Sequence, residues 1–458
     1  MKRIGLALLI AGSLASAAHA ADPAFEDHSV QLGGHIYGGD WEFFVGGGVA
    51  VMDCNADKQP DIFLAGGANP SALYVNEGGF NFALSEGPGV TDVTGAYPLD
   101  IDADGWTDLY VLRVGPDRLL RGGPDCAFED VTDAWGLPQA DRWSTAFTGW
   151  WEGDGRPTLA VGHYVDRADP EGPFEACDAN TLLRPEADGW RDEELEPGFC
   201  ALSILASHDA RGRMTLRLSN DRHYYVRGGY EQMWDINERR FLTEEDGWPK
   251  VSLWGMGIAS RDITGDGREE VMLTSMGDQL MQMAQLDGTY RNAPFSIGTY
   301  AHRPYLGDDG RPSTGWHAQF GDMDNDGRAD LFISKGNVDQ MPSNAIKDPN
   351  NLLMQQADGT FREMGQSAGL ASTERGRGAA LADFDGDGRL DVLVLNRRAP
   401  LEIYRNETPD AGHWLAVSLL QPGGNRHAIG ASVTVNGDRK STRLNSSHLK
   451  LSRMPSSA

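Results

Sequence analysis

Cysteine is scarce in this 458-residue chain: Cys54, Cys126, Cys177 and Cys200 are the full set. They show no Cys-x-x-Cys spacing, which argues against a zinc site. Four cysteines permit three pairings; Cys177–Cys200 is the first choice, because it would close a long insertion. Long apolar runs are as rare. The stretch from Ile4 to about Leu14 is too short to span a bilayer, and no later segment is long enough, so no membrane insertion is expected. Basic residues are outnumbered, 40 Lys and Arg against 67 Asp and Glu, for a formal charge of −27. Such a chain should repel nucleic acid and anionic lipid.

Both ends read as something other than folded domain. Lys2 and Arg3, the apolar run and the small residues ending Ala18-His19-Ala20 form a secretory signal peptide over 1–20. A cut after Ala20 would release a secreted or periplasmic protein. From Asp438 the chain turns basic and serine-rich, and DRKSTRLNSSH looks like one reading frame of a sequencing-adapter oligonucleotide. Residues 438–458 are therefore read as an artefact tail, with the natural sequence lost beyond about Gly437.

Acid is abundant, and it is patterned. Five stretches place an acid, or a polar stand-in, at relative positions 1, 3, 5 and 9. They run over Asp53, Asn55, Asp57 and Asp61; Asp100, Asp102, Asp104 and Asp108; Asp262, Thr264, Asp266 and Glu270; Asp322, Asp324, Asp326 and Asp330; and Asp383, Asp385, Asp387 and Asp391. Alternate residues of a tight loop can aim oxygens at one hard cation, and calcium takes six to eight. The main-chain carbonyl of position 7 (Gln59, Trp106, Arg268, Arg328, Arg389) can add a ligand. About five calcium sites are expected. These are not EF-hands: counting twelve from Asp100 reaches Val111 rather than glutamate, and strand-like residues follow each loop.

The loops start at 53, 100, 262, 322 and 383, and two degraded copies at Trp150 and Ser207 fill the gap. Seven units roughly 50 to 60 residues apart have blade-like spacing for a β-propeller. Each begins with a small-residue strand, such as Val45-Gly-Gly-Gly-Val or Gly376-Arg-Gly-Ala-Ala. Small side chains suit an innermost strand, where blades crowd the axis. The seventh unit stops after Ile403-Tyr404-Arg405-Asn406 without a fourth strand. The mature N-terminus, Ala24-Phe25-Glu26-Asp27, echoes Ala127-Phe128-Glu129-Asp130, so it is expected to supply that strand. Closure removes the edge that invites aggregation.

At these residues the chain resembles the FG-GAP/VCBS repeat proteins, whose relatives include the propellers of integrin α subunits. After the repeats, His413-Trp-Leu-Ala-Val-Ser-Leu and Gly424-Asn-Arg-His-Ala-Ile-Gly430 look like the start of an ASPIC/UnbV domain. That pairing is similar to the cartilage acidic protein-like family. The resemblance implies an all-β, seven-bladed propeller over 21–409 and a truncated β-rich ASPIC/UnbV segment over 410–437. It also implies a calcium-stabilised binding or adhesion module, engaging an extracellular or periplasmic protein or glycan through the face opposite the metal loops. Blades 3 and 4 depart from the pattern, lacking competent loops.

The loops entering the inner strands carry Arg142, Trp143, Trp254, Trp316, His317, Arg375 and Arg377. Converging aromatic and charged groups could line a ligand site at the pore mouth, although blade packing accounts for most of them. Gly365-Gln-Ser367-Ala-Gly369 matches a nucleophile elbow but lacks the strand–turn–helix setting that motif needs. Asn406-Glu-Thr408 fits a glycosylation sequon, yet Asn406 occupies the same repeat position as Asn76. No base and nucleophile fall together. The expectation is a binding protein without catalytic residues, the alternative being an enzyme or cofactor-handling propeller using the central channel.

Overall fold

The computed structural model describes residues 21–209, 211–221, 228–277, 279–300, 311–339, 341–436 and 441–445. Seven four-stranded antiparallel sheets are arranged as the blades of a propeller. Their inner strands are Val49–Met52, Ser144–Trp150, Ala201–His208, Gly255–Arg261, Gly315–Gly321, Gly376–Ala382 and, in blade 2, Val93–Leu99. Each inner strand packs against the next around the axis, and that of blade 1 packs against that of blade 7. The crowding explains the glycines. A Cβ on Gly48 would lie 2.7 Å from the Cα of Gly95, and one on Gly378 would lie 2.3 Å from the carbonyl oxygen of Gly47.

The N-terminal strand closes the ring. Phe25–Asp27 pairs antiparallel with Glu402–Asn406, Phe25 opposite Asn406 and Asp27 opposite Tyr404. The outer strand of blade 2, Phe128–Asp130, holds the equivalent place. Between neighbouring blades lie apolar layers, such as Tyr97, Leu112, Phe147, Leu159 and Val161 between blades 2 and 3. Period-2 alternation in the strands places one such layer on each face of every sheet.

Two disulfides brace the structure. Cys177–Cys200 closes the insertion in blade 3, while Cys54–Cys126 ties the acidic loop of blade 1 to the turn before the outer strand of blade 2. Beyond the propeller, Ser432–Asn436 and Ser441–Asn445 pair as a hairpin. The backbone of the suspected artefact tail thus supplies a strand; the rest of that tail and the signal peptide lie outside the described residues.

Candidate functional site

Each acidic loop joins the inner strand of a blade to its second strand, so all lie on one face of the disc. Their internal bonding follows one plan. The position-9 acid is buried and accepts two backbone N–H groups, one from position 2 and, in blades 1, 2, 6 and 7, one from the third strand. Asp391 accepts from Phe384 and Asn406 at 2.8 Å each, and Asp330 from Met323 and Gln355 at 2.8 and 2.9 Å. Asp61 and Asp108 do the same. The position-1 acid accepts from the N–H of position 6, as Asp100 does from Gly105 at 3.1 Å and Asp383 from Gly388 at 3.0 Å.

Three loops gather their carboxylates. Oxygens of Asp100, Asp102 and Asp108, of Asp322, Asp324 and Asp330, and of Asp383, Asp385 and Asp391 lie within 4.8 Å of one another in each set. Burial, reinforced by these neighbouring charges, pushes Asp100 and Asp322 up to about 6, Asp108 to about 7 and Asp391 to about 8. Buried oxygens of two acids, Oδ1 of Asp100 and Oδ2 of Asp324, meet no hydrogen-bond donor. A buried carboxylate oxygen aimed among other carboxylates without a donor is costly unless a cation completes it. The residues fit calcium.

The other expected ligands sit differently. Position 5 stays out of these clusters and is held by arginine: Asp104 pairs with Arg121 at 2.7 Å, and Asp266, Asp326 and Asp387 pair with Arg268, Arg328 and Arg389 two residues on. The clustered Asp102 and Asp385 also pair, with Arg121 and Arg405. In blade 5 the Oδ1 of Asp262 accepts from Gly265 and Asp266, and the loop of Asp262, Thr264 and Glu270 forms no comparable cluster. In blade 1, Asp53 accepts from Asp57 and Lys58, while Asn55 bonds Asp57. The only acid there with close sulfur neighbours is Asp61, and both sulfurs are bonded to each other.

The opposite face is filled. Trp143 and Trp316 are fully buried with Phe44, Tyr164, Met256 and Met276 in one cluster, against which Trp254 packs. The Arg377 guanidinium lies 3.9 Å from the centre of the Trp316 ring and donates to the carbonyls of Phe44 and Val338 at 2.8 and 2.6 Å. Arg142 pairs with Asp178 and Glu194, and Arg375 with Asp339. Among the described residues Trp143, Trp316 and Arg377 are thus packed away from solvent, while Arg142 and Arg375 stay partly exposed beside their acid partners. His317 alone of that set faces the channel, 3.4 Å from Gln319.

Open space lies instead at the metal-loop end. A cavity of about 1360 Å³ is walled by inner strands of blades 3 to 6, including Trp150, His208, His317 and Gln319, and by Asn425 and Ile429–Ser432. For a ligand site the sequence points instead to the other mouth, among the loops entering the inner strands. Ser367 of the elbow-like motif is exposed on a single helical turn, Gly365–Ala368, with its hydroxyl donating to Met364, far from a strand–turn–helix.

Comparison with known proteins agrees with the propeller fold. The FG-GAP-like repeat family matches residues 53–111 and 343–394. The chain carries FG-GAP-like repeats. It is 28% identical over 416 residues to cartilage acidic protein 1 of Mus musculus, covering 81% of this chain and 61% of that protein. The Xenopus tropicalis protein of the same name is 32% identical over 154 residues, 33% of this chain and 22% of that one. The matched part thus spans less than two thirds of these relatives. Among solved structures, BBS1N in complex with ARL6DN (lead-soaked crystal) superposes with a TM-score of 0.52 at 11% identity, covering 87% of this chain and all of that one. This last likeness speaks for the fold alone. Among the described residues no helix is long and apolar enough to cross a membrane.

Proposed function

We propose that this FG-GAP-repeat propeller is an exported, calcium-stabilised interaction module that engages a protein or glycan partner outside the cytoplasm. The observation that carries the reading is the donorless buried oxygen of Asp100 within the Asp100, Asp102 and Asp108 cluster. These three residues, with Asp322, Asp324 and Asp330 and with Asp383, Asp385 and Asp391, would hold the ions. Calcium would supply charge neutralisation, and the chain's own residues do the rest: position 9 fixes the loop to the sheet, and position 1 folds it back. Sites filled at a hundred times the dissociation constant add about 2.7 kcal/mol each, against a typical net stability of about 5–15 kcal/mol. Similarity to cartilage acidic protein 1, the acidity and the signal-like N-terminus support an exported setting, where calcium is plentiful. Residues 410–437 are read as the start of an ASPIC/UnbV domain.

A melt of the mature protein with calcium and with a chelator tests the reading. The expected result is a large fall in melting temperature on chelation, restored by calcium. A melt indifferent to the chelator rejects it. The second reading, a cofactor-handling channel, is favoured by the cavity beside His317 and Gln319; its test is loss of ligand uptake in His317→Ala with calcium binding intact.

A further inference from the structure

The segment after the last propeller strand does not leave the disc; it crosses the metal-loop face. The Gly412 N–H donates to the carbonyl of Asp324 at 2.9 Å, and a Cβ on Gly412 would stand 2.0 Å from the carbonyl oxygen of Asn325. The Trp414 indole lies on Gly388 of the blade 7 loop, so close that a Cβ there would be 2.0 Å from its Nε1. Further on, the Gly424 N–H donates to the carbonyl of Asp154 at 3.1 Å, in the degraded loop of blade 3. Arg426 lies over Gly105, and His427 Nε2 is 3.8 Å from Asp100 Oδ2. One strap, residues 410–432, thereby touches the loops of blades 2, 3, 6 and 7 and walls the channel's open end.

Three of those loops are the ones that gather their carboxylates. Most contacts fall on main-chain atoms, at positions 3, 4 and 6 in blades 2, 6 and 7 and position 5 in blade 3, the same short backbone whose side chains would surround an ion; His427 instead approaches the Asp100 carboxylate. They involve mostly neutral groups, so they respond to loop shape rather than loop charge. The exceptions are Arg426, a cation that would favour the metal-free loop, and His427, whose ring nitrogen stands 3.8 Å from the Asp100 carboxylate. The apolar side chains of the strap stay partly in solvent: Trp414, Leu415 and Leu420 are 50%, 62% and 64% exposed. Without an ion, clustered carboxylates repel and open the turn, and the landing surface is lost.

We propose that strap docking and calcium binding at the loops of blades 2, 6 and 7 are coupled, making residues 410–432 a calcium-latched cover over the channel. The inference rests on the calcium reading above. Coupling is reciprocal: whatever factor calcium contributes to docking, docking contributes to calcium affinity.

Hydrogen exchange on the whole mature chain, with calcium and with chelator, reads the docking, and equilibrium dialysis against radioactive calcium reads the metal independently. The expected result is uptake of calcium together with about 5-fold or greater slowing of exchange in peptides within 410–432. Gly412→Val with Gly424→Val should pry the strap off both anchors. Neither glycine has a left-handed backbone, so the cost is steric, against the carbonyls of Asn325 and Gly155. That double variant, and separately Trp414→Ala, should weaken calcium binding while leaving the melt in chelator, where the strap is already undocked, unchanged. Calcium uptake with identical strap exchange in both conditions would overturn the coupling and leave the calcium sites standing. Absence of calcium uptake would overturn both.

Discussion

The side-chain amide of Asn406 donates to the main-chain carbonyl of Met323 at 2.9 Å, pinning blade 7 to the acidic loop of blade 6. The same bond recurs around the ring. Asn76 donates to Phe384 at 2.8 Å, joining blade 1 to the loop of blade 7, and Gln355 donates to Ile263 at 3.0 Å, joining blade 6 to the loop of blade 5. In each case the acceptor is position 2 of the neighbouring loop. The acidic loops thus act as inter-blade fasteners. Asn406 is fully buried, so its sequon is not available to a glycosyltransferase in the closed ring. Replacing Asn406 with Asp keeps the volume but removes both donors, to Met323 and to Leu390. The expected cost is about 2–3 kcal/mol in a urea titration. An unchanged midpoint would show the fasteners to be passive.

Ring closure rests on the three residues Phe25–Asp27, supported by the Glu407 N–H donating to Ala24 and the His28 N–H donating to Ile403. Deleting residues 21–35 exposes the edge of Glu402–Asn406. The melting temperature should fall by about 5 °C or more, with aggregation that grows with concentration as bare edges pair between molecules. A truncated protein that melts like the parent and stays monodisperse would contradict this.

The closing strand was legible because a repeat protein repeats its local chemistry: Phe25-Glu26-Asp27 and Phe128-Glu129-Asp130 are the same outer strand in different blades. Blade number and loop position followed from the acid spacing for the same reason. What the sequence concealed depends on atoms brought together from distant repeats. Arg268, Arg328 and Arg389 carry a charge two residues from an acid, but only the turn geometry shows that each pairs with position 5. Trp143 and Trp316 are far apart along the chain, and they share one buried cluster only because inner strands converge there. The strap is the same case, since nothing in Gly412 or Gly424 names the loops they touch.

The Cys54–Cys126 bridge spans 72 residues and fastens position 2 of the blade 1 loop to blade 2. Closing a segment of that length restricts the unfolded chain, an effect of about 2–5 kcal/mol. The pair Cys54→Ser with Cys126→Ser should lose that amount in denaturant titration and still fold. It should also loosen Asp61, which accepts from the Cys54 N–H at 2.9 Å. Peptide mapping that finds either cysteine free, or joined to Cys177 or Cys200, would reject the pairing.

His163 and Asp117 give the propeller opposed pH responses. His163 is buried in blade 3, with Nδ1 3.3 Å from the Ser144 hydroxyl and Nε2 2.9 Å from that of Thr181. Burial, helped by Arg142, lowers its pKa to about 3. The folded protein therefore keeps it neutral while the unfolded chain takes up a proton below about 6.5. Its contribution is complete above that pH and is lost as pH falls toward 3, by about 1.4 kcal/mol per unit. Asp117, which accepts from Ser144 at 3.0 Å and from Tyr110 at 3.1 Å, is pushed up by burial to about 7. The folded state holds its proton more tightly than the unfolded state, so stability rises as pH falls from 7 to about 4. The two slopes nearly cancel in the parent. His163→Asn should unmask the rise and Asp117→Asn the fall, seen as differences from the parent in urea titrations between pH 4.5 and 6.5 with calcium held constant. Such differences cancel the titration of the metal loops, which all three proteins share. Parallel pH curves for the parent and both variants would mean that these groups titrate as they do in water, and that the buried network does not hold them.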